Sequence, residues 1–209
     1  NNNWDISKIE RHSIFVSQAS YPIKGFHILL KSINLLKNIY PDLIVYVSGT
    51  DIIKYDSNNF ISKMKLTGYG KYLLKLIKKY NLVNNVKFLG LLDEKQMTNR
   101  LLKSNVFVQA SSIENSPNSL GEAMLLGMPC VASYVGGTAD MLLDKKEGLL
   151  YPFGDYAMLA YYILIFDNDD MAIKFGMDAQ KHATITHNRK NNSNELINIY
   201  MEAFNDTKK

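Results

Sequence analysis

Short apolar runs rich in Val, Ile, Leu and Phe alternate along this chain with longer stretches whose apolar residues recur every three or four positions. That alternation admits few architectures. The short runs read as strands and the three-and-four spacing as helices, and chains that alternate the two bury a parallel sheet between helices on both faces. SIFVSQ (Ser13 to Gln18) reads as the first strand. FHILLKSINLLKNIY (Phe26 to Tyr40) reads as its helix, with Phe26, Leu29, Leu30, Ile33, Leu36 and Tyr40 on one core-facing stripe. LIVYVSG (Leu43 to Gly49), NVKFLG (Asn85 to Gly90), VFVQA (Val106 to Ala110), CVAS (Cys130 to Ser133) and GLLY (Gly148 to Tyr151) supply further strands. Between them lie a polar insertion, TDIIKYDSNNF, and helices over Gly70 to Leu82 and Asp93 to Asn105, the latter with Asp93 as N-cap. Beyond Asp155 the expectation is helical, over about Tyr156 to Phe166, Asp170 to Thr184 and Asn191 to Phe204.

Composition supports one α/β unit. At 209 residues, 46% hydrophobic and 21% charged, the chain has enough apolar side chains for a full core and carries no signature of disorder. A formal charge of +4, scattered along the chain, argues against a nucleic-acid partner. The single cysteine, Cys130, sits in an apolar run and reads as a buried strand thiol, which fits a reducing compartment such as the cytoplasm. Four histidines without ligand spacing and one cysteine give no zinc signature, so no metal is expected. No apolar stretch is long enough to span a bilayer, and NNNWDISKIE has no signal-peptide character. The helix KYLLKLIKKY could touch an acidic membrane surface through Lys71, Lys75, Lys78 and Lys79, although such a face is more often simply solvated.

One segment points to chemistry. In SSIENSPNSLGEAMLLGMPCVASYVGG, Ser116-Pro117 forces a turn, and a helix follows from about Asn118 to Leu126, ending at Gly127. The free backbone N–H groups of Asn118, Ser119 and Leu120, with the helix dipole behind them, form an anion site suited to phosphate. Glu114 precedes that site and Glu122 lies one turn inside the helix, so two carboxylates eight positions apart flank it. Carboxylates accept hydrogen bonds from vicinal hydroxyls, and the pairing therefore fits a ligand with both a diphosphate and sugar rings. In an open α/β sheet such a ligand lies beyond the carboxyl ends of the strands, among loops distant in sequence. Asp167-Asn168-Asp169-Asp170 also looks like a metal motif, but its place between two helices favours capping.

With these residues in order, the chain resembles the C-terminal, nucleotide-binding domain of GT-B glycosyltransferases, in particular the retaining family 4 group with its Glu-x7-Glu motif. The resemblance runs from Lys24-Gly25 through Phe88-Leu89-Gly90, Glu114 to Glu122, Gly127-Met128-Pro129 and Gly136-Gly137 to Glu147-Gly148-Leu149-Leu150, Pro152 and Asp155. It implies a Rossmann-like parallel sheet, one half of a GT-B fold, in which residues 1–12 are an N-terminal extension or interdomain linker remnant and residues 13–209 the donor-binding domain. It implies transfer of a sugar from a UDP- or GDP-sugar, with retention and without a metal or other cofactor, to a saccharide or lipid-linked acceptor in bacterial surface polysaccharide (capsular) or glycolipid synthesis. Glu122 would hold the ribose hydroxyls, Glu114 the sugar hydroxyls, and Lys24 the diphosphate. Main-chain groups near Leu89, Gly90 and Leu91 would hold the base edge, with Gly49 nearby. Many relatives carry an Arg about five residues before the Lys, where this chain has Gln18, Ala19 and Ser20, so Ser20 and Gln18 become the candidates to hydrogen-bond the phosphate.

The lack of an initiator Met and of a second half leads to the expectation of an excised domain, nearly inactive without an N-terminal acceptor-binding domain. Two other readings stay open at the level of sequence. One is a sugar-nucleotide epimerase of the same fold, and the other a noncatalytic nucleotide-binding module.

Overall fold

A computed structural model of the chain describes residues 3–54, 64 and 66–206. Residues 55–60 of the expected polar insertion lie outside the described residues. Six strands, β1 (Glu10–Val16), β2 (Ile44–Ser48), β3 (Val86–Gly90), β4 (Ser104–Gln109), β5 (Cys130–Ser133) and β6 (Leu149–Tyr151), form one sheet in the order β3-β2-β1-β4-β5-β6. Every pairing is parallel. The expected α/β, Rossmann-like architecture is therefore the one observed.

The order reverses between β1 and β4, because the chain first winds outward through β2 and β3 and then returns to begin the other half. That reversal opens a crevice between the loops leaving β1 and β4. Strands buried on both faces are almost wholly apolar, as a doubly covered parallel sheet requires. Ile14, Phe15, Phe107 and Val108 lie at its centre with at most 1% exposure.

Helices α1 (Phe26–Leu36), α2 (Gly68–Lys79), α3 (Glu94–Lys103), α4 (Asn118–Leu125), α5 (Thr138–Met141), α6 (Tyr156–Ile165) and α7 (Asp169–Thr186) surround the sheet, and α8 (Arg189–Asp206) follows with no buried residue. Most bounds fall within a few residues of expectation. The first helix closes at Leu36, short of Tyr40, as the chain turns toward β2. Ser104 and Asn105, read as helix, are instead the fully buried start of β4, where the Ser104 carbonyl and the Asn105 amide are held by other parts of the chain. The four-residue helix α5 was not anticipated, since so short a turn has no periodicity to show.

The N-terminal segment is built into the domain. Trp4 is 8% exposed, its indole N–H donates to the Ser104 carbonyl at 2.8 Å, and its amide donates to the Leu126 carbonyl at 2.7 Å. β1 itself starts at Glu10. The packed unit thus begins well before Ser13, because a large indole with both donors satisfied anchors the first residues to β4 and α4.

Candidate functional site

The loop after β1 is shaped by Gly25. Pro22–Lys24 make a single 3₁₀ turn, and Gly25, at φ 65°, ends it and begins α1. A Cβ at Gly25 would stand 1.7 Å from the Ala110 carbonyl oxygen, so only glycine lets this turn lie on the end of β4. The Ser112 amide then donates to the Ile23 carbonyl at 2.7 Å. These contacts bring the β1 and β4 loops together and deliver Lys24 to Glu114, with Nζ and Oε1 2.7 Å apart. The same carboxylate oxygen accepts from the Ser111 hydroxyl at 2.6 Å.

A second clamp comes from the loop after β5. Cβ atoms at Gly136 and Gly137 would fall 1.9 Å and 1.8 Å from the Glu114 and Asn115 carbonyl oxygens, and the Gly137 amide donates to the Glu114 carbonyl at 3.1 Å. The glycine pair therefore fixes the backbone that presents Glu114.

Helix α4 opens beside this ion pair. The helix starts at Asn118, where the sequence placed it, with Pro117 as N-cap at φ −74° and ψ 100°, and no side chain caps it. The Pro117 carbonyl accepts from the Leu120 amide at 3.0 Å and from the Gly121 amide at 3.3 Å. Leu120 is thus not a free donor as expected, because the first turn closes on Pro117. Leu120 is fully buried, while Asn118 and Ser119 line the cleft. Ser119 also accepts a hydrogen bond from the Ser17 hydroxyl at 3.0 Å.

Ser17, Gln18, Lys24, Glu114, Asn118 and Glu122 share one open cleft of about 370 Å³. Glu122 faces solvent, yet burial of its carboxyl by the surrounding walls, and secondarily the charge of Glu94, raises its pKa. Gln18 stands where the sequence placed it. Ser20 and Gly49 lie behind it: a Cβ on Gly49, whose φ is 98°, would be 3.9 Å from both the Gln18 Cγ and the Ser20 Oγ. The Gly90 carbonyl is occupied by the Gly49 amide at 2.8 Å, and Leu91 is 84% exposed. None of Ser20, Gly49, Gly90 and Leu91 lines the cleft.

Two participants went unnoticed in the sequence, Met97 and Glu94. Met97 lines the cleft, and Glu94 acts on Glu122 from the first turn of α3. The signal was available, since α3 follows β3 and its first turn must lie at the carboxyl edge.

The Asp-rich segment lies elsewhere. Asn168 caps α7 through the Met171 amide at 3.0 Å, Asp169 binds both Arg11 guanidinium nitrogens, and Asp167 accepts from the Tyr40 hydroxyl at 2.9 Å. Arg11 follows Glu10 at the start of β1, so this segment sits at the amino end of the strands, across the sheet from the cleft. Among the described residues no three His, Cys, Asp or Glu side chains are grouped to hold a metal. His27 is half-buried between Tyr69 and Tyr72, with Nδ1 3.1 Å from the Tyr69 hydroxyl, and burial followed by the nearby Lys31 charge lowers its pKa. Cys130 is buried, and desolvation pushes its thiol well up.

Residues 2–182 match the family model for glycosyl transferases group 1. The chain is 29% identical over 154 residues to protein CapJ of Staphylococcus aureus, covering 73% of this chain and 34% of CapJ. It superposes on sucrose-phosphate synthase from Thermosynechococcus elongatus with a TM-score of 0.74 at 23% identity, over 92% of this chain and 45% of the synthase. Anabaena HepE, solved in complex with UDP-glucose, is 25% identical with a TM-score of 0.68, over 82% of this chain and 43% of HepE. The chain thus spans less than half the length of each of these proteins.

Proposed function

The chain belongs to the group 1 glycosyl transferases, and on that premise we propose that residues 13–209, together with the packed N-terminal segment, form the donor-binding half of a sugar-transferring enzyme. The observation that carries this reading is the Lys24–Glu114 pair beside the uncapped start of α4. A nucleotide-sugar laid in the cleft would place its diphosphate between Lys24 and the Asn118 and Ser119 amides. Its ribose would meet Glu122, and its sugar Glu114.

Each group then has a defined task. Lys24 and the helix start are donors fixed before the reaction, aimed at the oxygens where charge grows as the bond from the anomeric carbon to the diphosphate breaks. The acceptor hydroxyl oxygen forms the new bond at that carbon as its proton passes to the departing nucleoside diphosphate. When the diphosphate takes over Lys24, the Glu114 carboxylate is released to accept from sugar hydroxyls. Gln18 and Ser17 supply neutral hydrogen bonds where a second cation is lacking. The UDP-glucose complex of HepE supports a nucleotide-sugar ligand.

Retention of configuration, an acceptor domain closing over the cleft, and work at the inner face of the membrane complete the reading. No helix among the described residues is long and apolar enough to cross a bilayer. Calorimetric titration with UDP, GDP, ADP and their sugars, each with EDTA and with magnesium, tests the core of it. Binding should occur and agree within a few-fold between the two conditions. No binding of any nucleotide would overturn the reading, and binding lost in EDTA would overturn its metal independence.

A further inference from the structure

The flank of the sheet formed by α2, α1 and α6 carries helix charges of one sign. α1 packs between α2 and α6, and its sequence, FHILLKSINLL, has Lys31 and no carboxylate. α2, GYGKYLLKLIKK, has Lys71, Lys75, Lys78 and Lys79 and again no carboxylate. α6 has no charged residue. By contrast α3 sets Glu94 beside Lys95, Arg100 and Lys103, and α7 sets Asp169, Asp170 and Asp178 beside Lys174 and Lys181. The mild net charge of the chain therefore hides a basic face.

Helix spacing turns these lysines outward. α2 buries Leu73, Leu76 and Ile77, while Lys71, Lys75 and Lys78, four and three positions apart, form one exposed line with Tyr72 and Lys79 beside it. Exposed apolar side chains stand among the charges, Tyr72 on α2, Leu35 on α1 and Ile39 just beyond it. Where α1 meets the end of α2 and the start of α6, Lys31, Asn34, Leu35, Tyr80 and Tyr156 line a recess of about 310 Å³. Lys31 Nζ lies 5.7 Å from the centre of the Tyr156 ring there. The described carboxylates nearest in the chain are already engaged, Asp42 with His12, Asp51 with the Ile53 amide and Asp155 with the Met158 amide.

We infer that this α1–α2 face is a docking surface for a bilayer rich in anionic lipid. Lysines are flexible point charges without the planar fork that matches one fixed phosphate geometry, and neither helix has an arginine. Such a face suits anions that are themselves mobile in a plane. α2 is about 18 Å long at 1.5 Å per residue, enough to lie across several headgroups. Tyr72 is the kind of aromatic favoured at headgroup depth, and Leu35 and Ile39 offer apolar surface to the boundary below. Because the apolar side of α2 is committed to the core, attachment is electrostatic and reversible. The inference rests on the membrane setting of the proposed function and gives that setting a surface. None of these lysines lines the nucleotide cleft, so docking and nucleotide binding are separable.

Sedimentation of the 209-residue chain with vesicles of phosphatidylcholine alone, or of equal parts phosphatidylcholine and phosphatidylglycerol, tests this. The chain should bind only the anionic vesicles and release them as added salt screens the charges. Lys71→Gln, Lys75→Gln, Lys78→Gln and Lys79→Gln combined should weaken that binding at least about a hundredfold, since each lysine near an anionic surface contributes a factor of about five. Lys95→Gln, Lys103→Gln, Lys174→Gln and Lys181→Gln combined remove the same charge from α3 and α7 and should leave binding within about fivefold of wild type. Unchanged melting temperatures and nucleotide affinities would show both variants folded with the cleft intact. Equal binding to the two kinds of vesicle, equal losses in the two variants, or capture of random-sequence RNA without binding to anionic vesicles would overturn the inference. Nucleotide titration of the same samples is read separately, so the donor-binding reading would stand.

Discussion

Lys24 and Glu114, 90 positions apart in the chain, meet at 2.7 Å across the gap between the β1 and β4 loops. Only 27% of one side chain and 13% of the other is exposed. A sheltered pair of this kind is expensive to break from one side, because the survivor keeps its charge without its partner.

Lys24→Ala should therefore weaken nucleoside diphosphate binding by about 1.5–3 kcal/mol, the scale of a charged hydrogen bond. Glu114→Ala should instead weaken binding of a nucleotide-sugar while leaving the free diphosphate nearly unchanged. Titrating each variant with the nucleotide and with its sugar separates the roles, and equal losses for both ligands in Glu114→Ala would count against the assignment.

Glu122 should show a trade of stability against binding. Its folded pKa is raised by burial, so near the ordinary carboxyl range the folded chain holds the proton more firmly than the unfolded one. Stability is then lost as pH rises through that window and regained as it falls. Glu122→Gln should raise the melting temperature at pH 7 relative to wild type, with the difference shrinking toward pH 4. It should also cost about 1.5–3 kcal/mol of ribonucleotide affinity and narrow the preference for ribose over deoxyribose. Thermal melts at both pH values and titration with GDP, UDP and their deoxy analogues are the measurements.

The glycine pair after β5 is predicted to matter through position alone. Gly137→Ala puts a methyl where the Asn115 carbonyl now lies, and the Glu114 loop must move aside. Nucleotide-sugar affinity should fall at least about tenfold, since small displacements of positioning groups carry large penalties. Gly154→Ala, where nothing stands within 4 Å of the added carbon but φ is positive at 93°, carries the backbone strain that Gly137, at φ −75°, does not, and so separates strain from displacement of the loop. It should leave affinity unchanged.

His27 should make the fold sensitive to acid. Burial lowers its pKa, so below the ordinary imidazole value near 6.5 the unfolded chain binds a proton that the folded one resists. Its contribution is complete above that value and is lost as pH falls through it. Melting temperatures of His27→Gln measured from pH 7.5 to 5 should decline less steeply than those of wild type, and parallel curves would count against the assignment.

Much of this was legible in the chain, and what was not has physical reasons. Strands buried on both faces announce themselves as unbroken apolar runs, so LIVYVSG and VFVQA were plain. Asn105 was misread because its side chain is satisfied by His12 and Phe166, far away in sequence, and Ser104 because its carbonyl is held by the indole of Trp4. Trp4 itself fell in the stretch read as an N-terminal extension or interdomain linker remnant, since one large side chain carries no period. The roles of Lys24, Glu114 and Glu122 came from a resemblance rather than from spacing, and the structure adds that three loops bring them to one cleft. The Leu120 amide was miscounted because whether a first turn closes on Pro117 depends on backbone angles that composition does not specify.

Because the strand order reverses between β1 and β4, the two residues that would face the reacting bond hang from adjacent strands. Right-handed twist adds roughly 20–25° with each strand across a sheet, so positional error grows with the number of strands between two points. Here that number is zero. Edge strands such as β3 and β6 can lengthen, shorten or tilt, and the surface helices can drift, with little change in the separation of Lys24 and Glu114. The reactive end of the cleft has a tight tolerance at the middle of a frame whose margins are free to vary, while its far end, between α3 and α4, inherits that variation.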